Sequence, residues 1–554
     1  MVGIPYQLFG GHNDWGLLGS IPIRFLMLRS PIALLTLLAI GILCCGGTPV
    51  SAQNTPKIVA APPRTPASEP PPSKLRELWV LPQKGLSPAE AVLAQTLQGL
   101  VNKKKARVWL RSDSILAIVE EQLKREGVQF HEMSSPWELL KDFRSQVKGA
   151  IVYRLNTPSI NVATSLCGPM KAVAIDESLL PLADAAGLKV LADVRAMDDQ
   201  AGWDKYHALF ARGVMIEQAT TRSGFLRDLP VALNAFTMYN NNSAFRTYVA
   251  RELGPQTIAY GWGPDEYGWV RDLSRANATA VAADWCSDLS ALRLLPAGKL
   301  QRPKVERMKA EPGVRYIAFV MSDGDNIQWL SKDFVGNSRF WASPLRGKFP
   351  ISWEMSPILA KMGPRVLQYI YATATQSDDF IAGPGAPGYT FLHSQTDRLA
   401  LAKQAAPYLR DSDLPIVSVL NENAGSLAET IPLLDQSAVS SVIYKDYSPY
   451  NRRKGDIVWH RGKPCLSYKF MLWSKLMEPD GLVRGIEQMP TDPLNNEASY
   501  ALVNMHAWSW GDQGGPLVKA QETIDKLPPN TRVVTATQIM QMLSDNFSAR
   551  HAKD

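Results

Sequence analysis

Residues 316–326 read YIAFVMSDGDN. The run Tyr316–Met321 has the length and β-rich composition of a buried strand, and it stops abruptly at Asp323 and Asp325 with Gly324 between them. Acidic groups just past the C-terminal end of a buried strand lie where α/β enzymes place their chemistry. An Asp-Gly turn with solvated charges is the alternative, and it is common after strands. These residues alone do not decide between the two, so the surrounding chain must.

Downstream, the pattern repeats. Pro350–Trp353 runs into Glu354-Met355-Ser356, and Ser356-Pro357 opens a helix. Phe380–Ala382 precedes GPGAPGY, Pro415–Leu420 precedes Asn421-Glu422-Asn423, and Val439–Tyr444 precedes Lys445-Asp446-Tyr447. Cys465–Tyr468 is a short apolar stretch, Tyr500–Val503 runs into Asn504-Met505-His506-Ala507-Trp508, and Thr531–Val534 precedes a last helix. A barrel of parallel strands gathers all such ends on one face. The pattern therefore predicts that Asp323, Asp325, Glu354, Tyr389, Glu422, Asp446 and His506 surround one pocket, although each alone reads equally as a loop residue or cap.

Upstream, strands and helices alternate from Glu77. Leu78–Leu81, Ala106–Leu110, Gly149–Leu155 and Lys171–Ile175 read as strands. Ser87-Pro88-Ala89-Glu90 is a capping-box start for the helix that continues through AVLAQTLQGLVNKK. The fold class is thus α/β: an N-terminal layered α/β domain over 77–302 and a (β/α) barrel-like C-terminal domain over 303–546, with a tail at 547–554. Neither GxGxxG nor GxxxxGK follows any of these upstream strands, so no nucleotide or other cofactor is expected.

The N-terminus reads as an export signal over 1–52: Arg24 and Arg29, then the apolar Pro31–Cys45, then the small-x-small site Val50-Ser51-Ala52. That run is short of the roughly 20 residues of a membrane span; a retained anchor is the alternative to cleavage. Residues 53–76 are Pro/Ala/Ser-rich and read as a linker. The protein is expected to be exported, periplasmic or extracellular, with no other membrane association. The formal charge of +7 comes from 59 basic and 52 acidic residues, and no Lys/Arg run forms an obvious stripe, which argues against nucleic-acid binding. Beyond residue 52 only Cys167, Cys286 and Cys465 remain, so this is no disulfide scaffold, and no CxxC pair offers a thiolate zinc site. Nothing in the sequence indicates the oligomeric state.

Several chemistries compete for the predicted pocket. Glycoside hydrolysis needs two carboxyl groups across the scissile bond, one protonated and one ionised. Asp325 and Glu354 are the expected pair, assisted by Asp323, with Asn326, Tyr389, Glu422, Asp446, His506 and Trp508 binding substrate. Trp353, Tyr389, Trp508 and Trp510 could offer flat faces to sugar rings, although tryptophan is usually core. A second acidic stretch, Gly261-Trp262-Gly263-Pro264-Asp265-Glu266-Tyr267, could close over the mouth and bring in Glu266. Metal-dependent deacetylation would require ligands such as Asp323, His393 and His506, but no HxxxH or HExxH pair exists, and no metal is expected. There is no GxSxG elbow for a serine nucleophile.

The segments LAQTLQGLVN (93–102), YGWGPDEYGWV (260–270), AADWCSDLSAL (282–292), MSDGDNIQW (321–329), SWEMSP (352–357) and VNMHAWSWGD (503–512) resemble the GxGYxYP family, secreted two-part bacterial proteins to which glycoside hydrolysis is ascribed. The resemblance covers most of the chain beyond the linker. It implies an N-terminal α/β domain, a C-terminal barrel-like domain and a glycan or polysaccharide partner. The signature is altered here: residues 386–392 read APGYTFL, keeping Gly388-Tyr389 but carrying Ala386, Phe391 and Leu392 at other signature positions. A non-catalytic glycan-binding or envelope scaffold protein is therefore the alternative to a hydrolase.

Overall fold

Parallel strands with near-continuous apolar runs dominate both halves of the chain, as expected of sheets covered on both faces. The computed structural model describes residues 75–112 and 115–553, which lie in one compact unit. The expected export signal and nearly all of the linker lie outside the described residues. Among the described residues no helix is long and apolar enough to cross a membrane.

The N-terminal strands form three small sheets, each parallel throughout. β1 (Glu77–Pro82) lies between β2 (Val108–Arg111) and β3 (Gln129–Glu132). β4 (Gly149–Tyr153) lies between β5 (Ala172–Asp176) and β6 (Val190–Asp193). The third sheet has the order β10-β9-β7-β8, with β7 (Val214–Glu217), β8 (Phe236–Met238), β9 (Ile258–Gly261) and β10 (Thr279–Ala282). The layered sheet read from the sequence is thus divided in three.

The helix Pro88–Val101 starts with the predicted capping box and is buried almost all round. Its polar residues are therefore bonded inside. Gln98 donates to the Val108 carbonyl (3.2 Å), and Asn102 both donates to that carbonyl (2.8 Å) and accepts from the Val108 amide (2.9 Å). LAQTLQGLVN is thereby explained as a structural segment. In the third sheet Arg246 bonds the buried Glu217 (2.6 Å) and Asp272 (2.9 Å).

The C-terminal sheet is built from β11 (Arg315–Met321), β12 (Ile351–Met355), β13 (Asp378–Ala382), β14 (Ile416–Asn421), β15 (Ser441–Asp446), β16 (Ile457–His460), β17 (Lys463–Ser467), β18 (Phe470–Leu472), β19 (Tyr500–Met505) and β20 (Thr531–Val533). Its order is β16-β17-β15-β14-β13-β12-β11-β19-β18, with β20 also on β11. Only β16 is antiparallel. The segment Lys463–Leu472 changes partners midway. β17 pairs with β15, Tyr468 donates to the Tyr444 carbonyl, Lys469 donates to the Leu502 carbonyl, and β18 pairs with β19. One continuous segment thus joins both ends of the sheet and curls it into a barrel.

Residues alternate across the barrel wall. Tyr316, Ala318 and Val320 of β11 share an interior core with Ile381, Ile416, Ile443, Leu466, Tyr500 and Leu502. Ile317, Phe319 and Met321 pack outward in the larger core. The helix Ala536–Phe547 contributes Ile539, Met540, Leu543 and Phe547 to the interior core, so it plugs the N-terminal opening. Cys167, Cys286 and Cys465 are all buried and unpaired.

Candidate active site at the barrel mouth

The C-terminal mouth is shaped by how the turn after β11 lies on β12. Asp323 adopts a left-handed conformation (φ 71°), which aspartate tolerates better than most residues. Any side chain on Gly324 would run into the Glu354 carbonyl, so only glycine lets the turn rest there. The turn ends where Asn326 caps the helix Ile327–Leu330, accepting from the Trp329 amide (3.2 Å). This packing sets Asp323 and Asp325 above the end of β12.

Glu354 is the floor of the mouth. Its side chain accepts from Ser418 Oγ (2.6 Å) and from Lys445 Nζ (2.8 and 3.1 Å), and neither member of the Glu–Lys pair is more than 1% exposed. Lys445 also stands 5.3 Å from the Tyr450 ring centroid. Both Glu354 oxygens are therefore engaged from below.

Asp325 differs. It is buried, yet its carboxyl makes no hydrogen bond among the described residues. Burial pushes its pKa well above the usual carboxylate range; the nearby carboxyls of Asp323, Glu266 and Glu354 add to this, and Lys445 opposes it. Asp323 accepts from Trp508 Nε1 (3.0 Å) and from Ser322 Oγ. Trp508 is 45% exposed, with Trp329 packed against it in an edge contact at 5.1 Å, so it presents a held aromatic face at the rim. His506 stacks on Trp473 (3.8 Å between centroids) and its Nδ1 lies 3.0 Å from Ser509 Oγ. Burial lowers the His506 pKa, Asp323 opposes that shift, and Lys445 adds to it.

A second wall comes from the third N-terminal sheet. The loop after β13 pairs with β10: Tyr389 and Ala280 exchange two backbone hydrogen bonds of 2.8 Å each. A side chain on Gly388 would strike the Ala280 carbonyl. The Gly-Tyr of the altered signature is therefore a joint between the halves. From that joint the Tyr389 hydroxyl reaches Glu266 Oε1 at 3.4 Å. Glu266 begins the helix Glu266–Arg275, capped by Asp265. Burial raises its pKa to about 7, Asp323 and Asp265 push in the same direction, and the Tyr389 hydrogen bond opposes them.

The other expected residues are held by other partners. Glu422 is buried against Tyr267, whose hydroxyl donates to it at 3.0 Å, and also accepts from Ser394. Asp446 follows Lys445 and so points out of the barrel, where it meets Arg453 at 3.4 Å. His393 Nδ1 lies 2.9 Å from Glu429, away from Asp323 and His506. Among the described residues no three metal-ligating side chains converge. Trp353 and Trp510 are core residues, bonded to Asp378 (2.9 Å) and Glu478 (3.2 Å). Sequence reasoning missed Lys445, Ser418, Tyr450 and Trp473. An inward parity assignment for β15 would have found Lys445, but both faces of that strand are buried, so its composition hides the parity.

Four family descriptions match the chain: "GxGYxYP_N 1st domain" over residues 77–145, "GxGYxYP_N second domain" over 147–210, "GxGYxYP third domain" over 212–293, and "GxGYxYP putative glycoside hydrolase C-terminal domain" over 313–544. The first three spans coincide with the three N-terminal sheets. A solved structure described as a putative hydrolase from Bacteroides thetaiotaomicron VPI-5482 is similar, with a TM-score of 0.77 and 25% identity, covering 86% of this chain and 96% of that one. No curated protein matches.

Proposed function

Because the chain belongs to the GxGYxYP family, we propose that it hydrolyses a glycosidic bond at the barrel mouth, with Asp325 as the proton donor. The observation that carries this reading is the Asp325 carboxyl. It is buried among other carboxyls, which raises its pKa and so favours its protonated form, and no protein group takes up its hydrogen-bonding capacity. A general acid needs both properties.

The expected partnership of Asp325 with Glu354 is revised on physical grounds. Glu354 is held by Lys445 and Ser418 beneath the turn. In this reading it is the charged floor that holds the mouth in shape. Asp323, oriented by Trp508 and Ser322, faces the positive charge that develops on the sugar ring. Trp508, Trp473 and Tyr450 offer ring faces to the sugar, with Tyr389 and His506 beside them. The apolar run and small-x-small site before residue 53 support action outside the cytoplasm.

A panel of polysaccharides assayed by release of reducing ends tests the reading. Wild type should release sugar from at least one glycan, and Asp325→Asn should lose that turnover by about 10²–10⁴-fold without unfolding. Binding of a glycan with no cleavage anywhere on the panel would favour the scaffold alternative. Full activity in Asp325→Asn would remove the assignment.

A further inference from the structure

Asp325 and Asp323 come from one turn on one wall of the mouth. Hydrolysis also needs a group on the far side of the sugar. A second wall is formed where the loop after β9 enters the helix Glu266–Arg275, and its position is fixed by structure. Tyr389 and Ala280 clamp the barrel loop to β10 through two backbone bonds. Gly261, at the end of β9, has φ 122° and packs on the Glu217 carbonyl, which sends the following residues across the joint. Both residues that arrive there touch the barrel: Glu266 meets the Tyr389 hydroxyl at 3.4 Å, and the Tyr267 hydroxyl donates to Glu422 at 3.0 Å.

Resting on the hydrolase reading above, we propose that Glu266 is a second catalytic residue, the base that activates the attacking water from across the domain joint. In that step the water oxygen bonds to the anomeric carbon while one of its protons passes to the Glu266 carboxylate. The bond from the anomeric carbon to the glycosidic oxygen breaks, and the Asp325 proton goes to that leaving oxygen. One proton is gained and one lost, so exchange with solvent resets the pair. Attack from the face opposite the leaving group inverts the anomeric configuration.

The two carboxyls have surroundings suited to these different tasks. Asp325 is enclosed by Asp323, Glu266 and Glu354 with Lys445 below, and burial among those carboxyls favours its protonated form. Glu266 faces Asp265 on its own loop, Asp323 and Asp325 from the turn after β11, Tyr389 from the loop after β13, and Tyr447 and Tyr450 from the loop after β15. No cation is among these groups. With its pKa near 7 it is substantially ionised at neutral pH, the range in which a base is most effective.

The test uses the full chain, the glycan found active on the panel, and the corresponding glycosyl fluoride, whose leaving group needs no proton. Glu266→Gln should lose kcat about 10³-fold on both substrates with KM nearly unchanged. Asp325→Asn should lose the glycan but keep most of its fluoride hydrolysis. Wild-type kcat/KM should fall below about pH 7 as Glu266 takes up a proton, and Glu266→Gln should flatten that limb. Glu266→Asp, which keeps the charge, should recover part of the rate and the limb, and it also reports if Glu266→Gln fails to fold. Proton NMR of the first product should show inversion. More than a tenth of wild-type kcat in Glu266→Gln, or a retained anomer, would overturn the assignment while leaving the hydrolase reading intact. A wild type inactive on every substrate would overturn the hydrolase reading, and this assignment with it.

Discussion

Lys445→Met is the sharpest probe of the barrel floor. Methionine keeps most of the lysine stem and removes the ammonium, leaving Glu354 in a site where its side chain is 0% exposed and only Ser418 still donates to it. At about 3 Å and an effective dielectric near 20, the lost attraction is about 5 kcal/mol. Breaking a buried pair from one side generally costs about 3–5 kcal/mol. Glu354→Gln should cost a similar amount by stranding the ammonium. The double variant leaves two neutral groups of nearly native volume and should lose much less than the sum, with a coupling of about 2 kcal/mol or more. Urea unfolding of the full chain, followed by tryptophan fluorescence, measures all four corners of the cycle. A loss below about 1 kcal/mol in Lys445→Met, or additivity within about 0.5 kcal/mol, would refute the claim that this pair holds the floor. The same variant tests the electrostatics. Lys445 lowers the Asp325 pKa, so its removal should raise it and carry the alkaline limb of the pH–rate profile to higher pH.

The opposite sign is expected for Glu354→Gln: with a neighbouring carboxylate gone, the Asp325 pKa falls and the alkaline limb moves to lower pH. Trp508→Ala removes an aromatic face and the donor to Asp323, and should raise KM about 5–10-fold in steady-state assays with the melting temperature little changed. Gly388→Ala sets a methyl against the Ala280 carbonyl. It should break the Tyr389 clamp, cost about 1–3 kcal/mol in chemical denaturation, and lower kcat by displacing Glu266. Arg246→Met leaves Glu217 and Asp272 buried without their shared cation and should cost about 3–5 kcal/mol, read from the same denaturation curves.

The elements around the site were legible where apolar composition was uninterrupted. β11, β12, β14, β15 and β19 begin and end within a residue or two of the runs read from sequence, because β-branched and aromatic residues bounded by polar ends define such strands. The helix read after Ser356 is broken at Gly363-Pro364 into Leu359–Met362 and Pro364–Ala372, the boundary a Gly-Pro step favours. Facing direction was not legible. Every residue of β15 is buried, so alternation gave no sign that Lys445 turns inward and Asp446 outward. Nor could the sequence give contacts made by distant pairing. Glu266 reaches the mouth because β10 bonds a loop more than 100 residues later, and no local rule links Ala280 to Tyr389. The partner change within Lys463–Leu472 was likewise hidden, since β17 and β18 are short and depend on two separate neighbours.

The helix Ala536–Phe547 has a consequence for the order of synthesis. It and β20 are among the last elements of the described chain to be made, yet β20 pairs with β11 and the helix fills the interior that β11 lines. The remaining walls of the barrel leave the ribosome first and wait with an unpaired stretch of β11 and an uncovered apolar interior. Final closure therefore waits for residues 531–547 to be made. A nascent chain stalled near residue 525 should be a target for chaperones and proteases, while the same chain released with residues 531–547 should resist both.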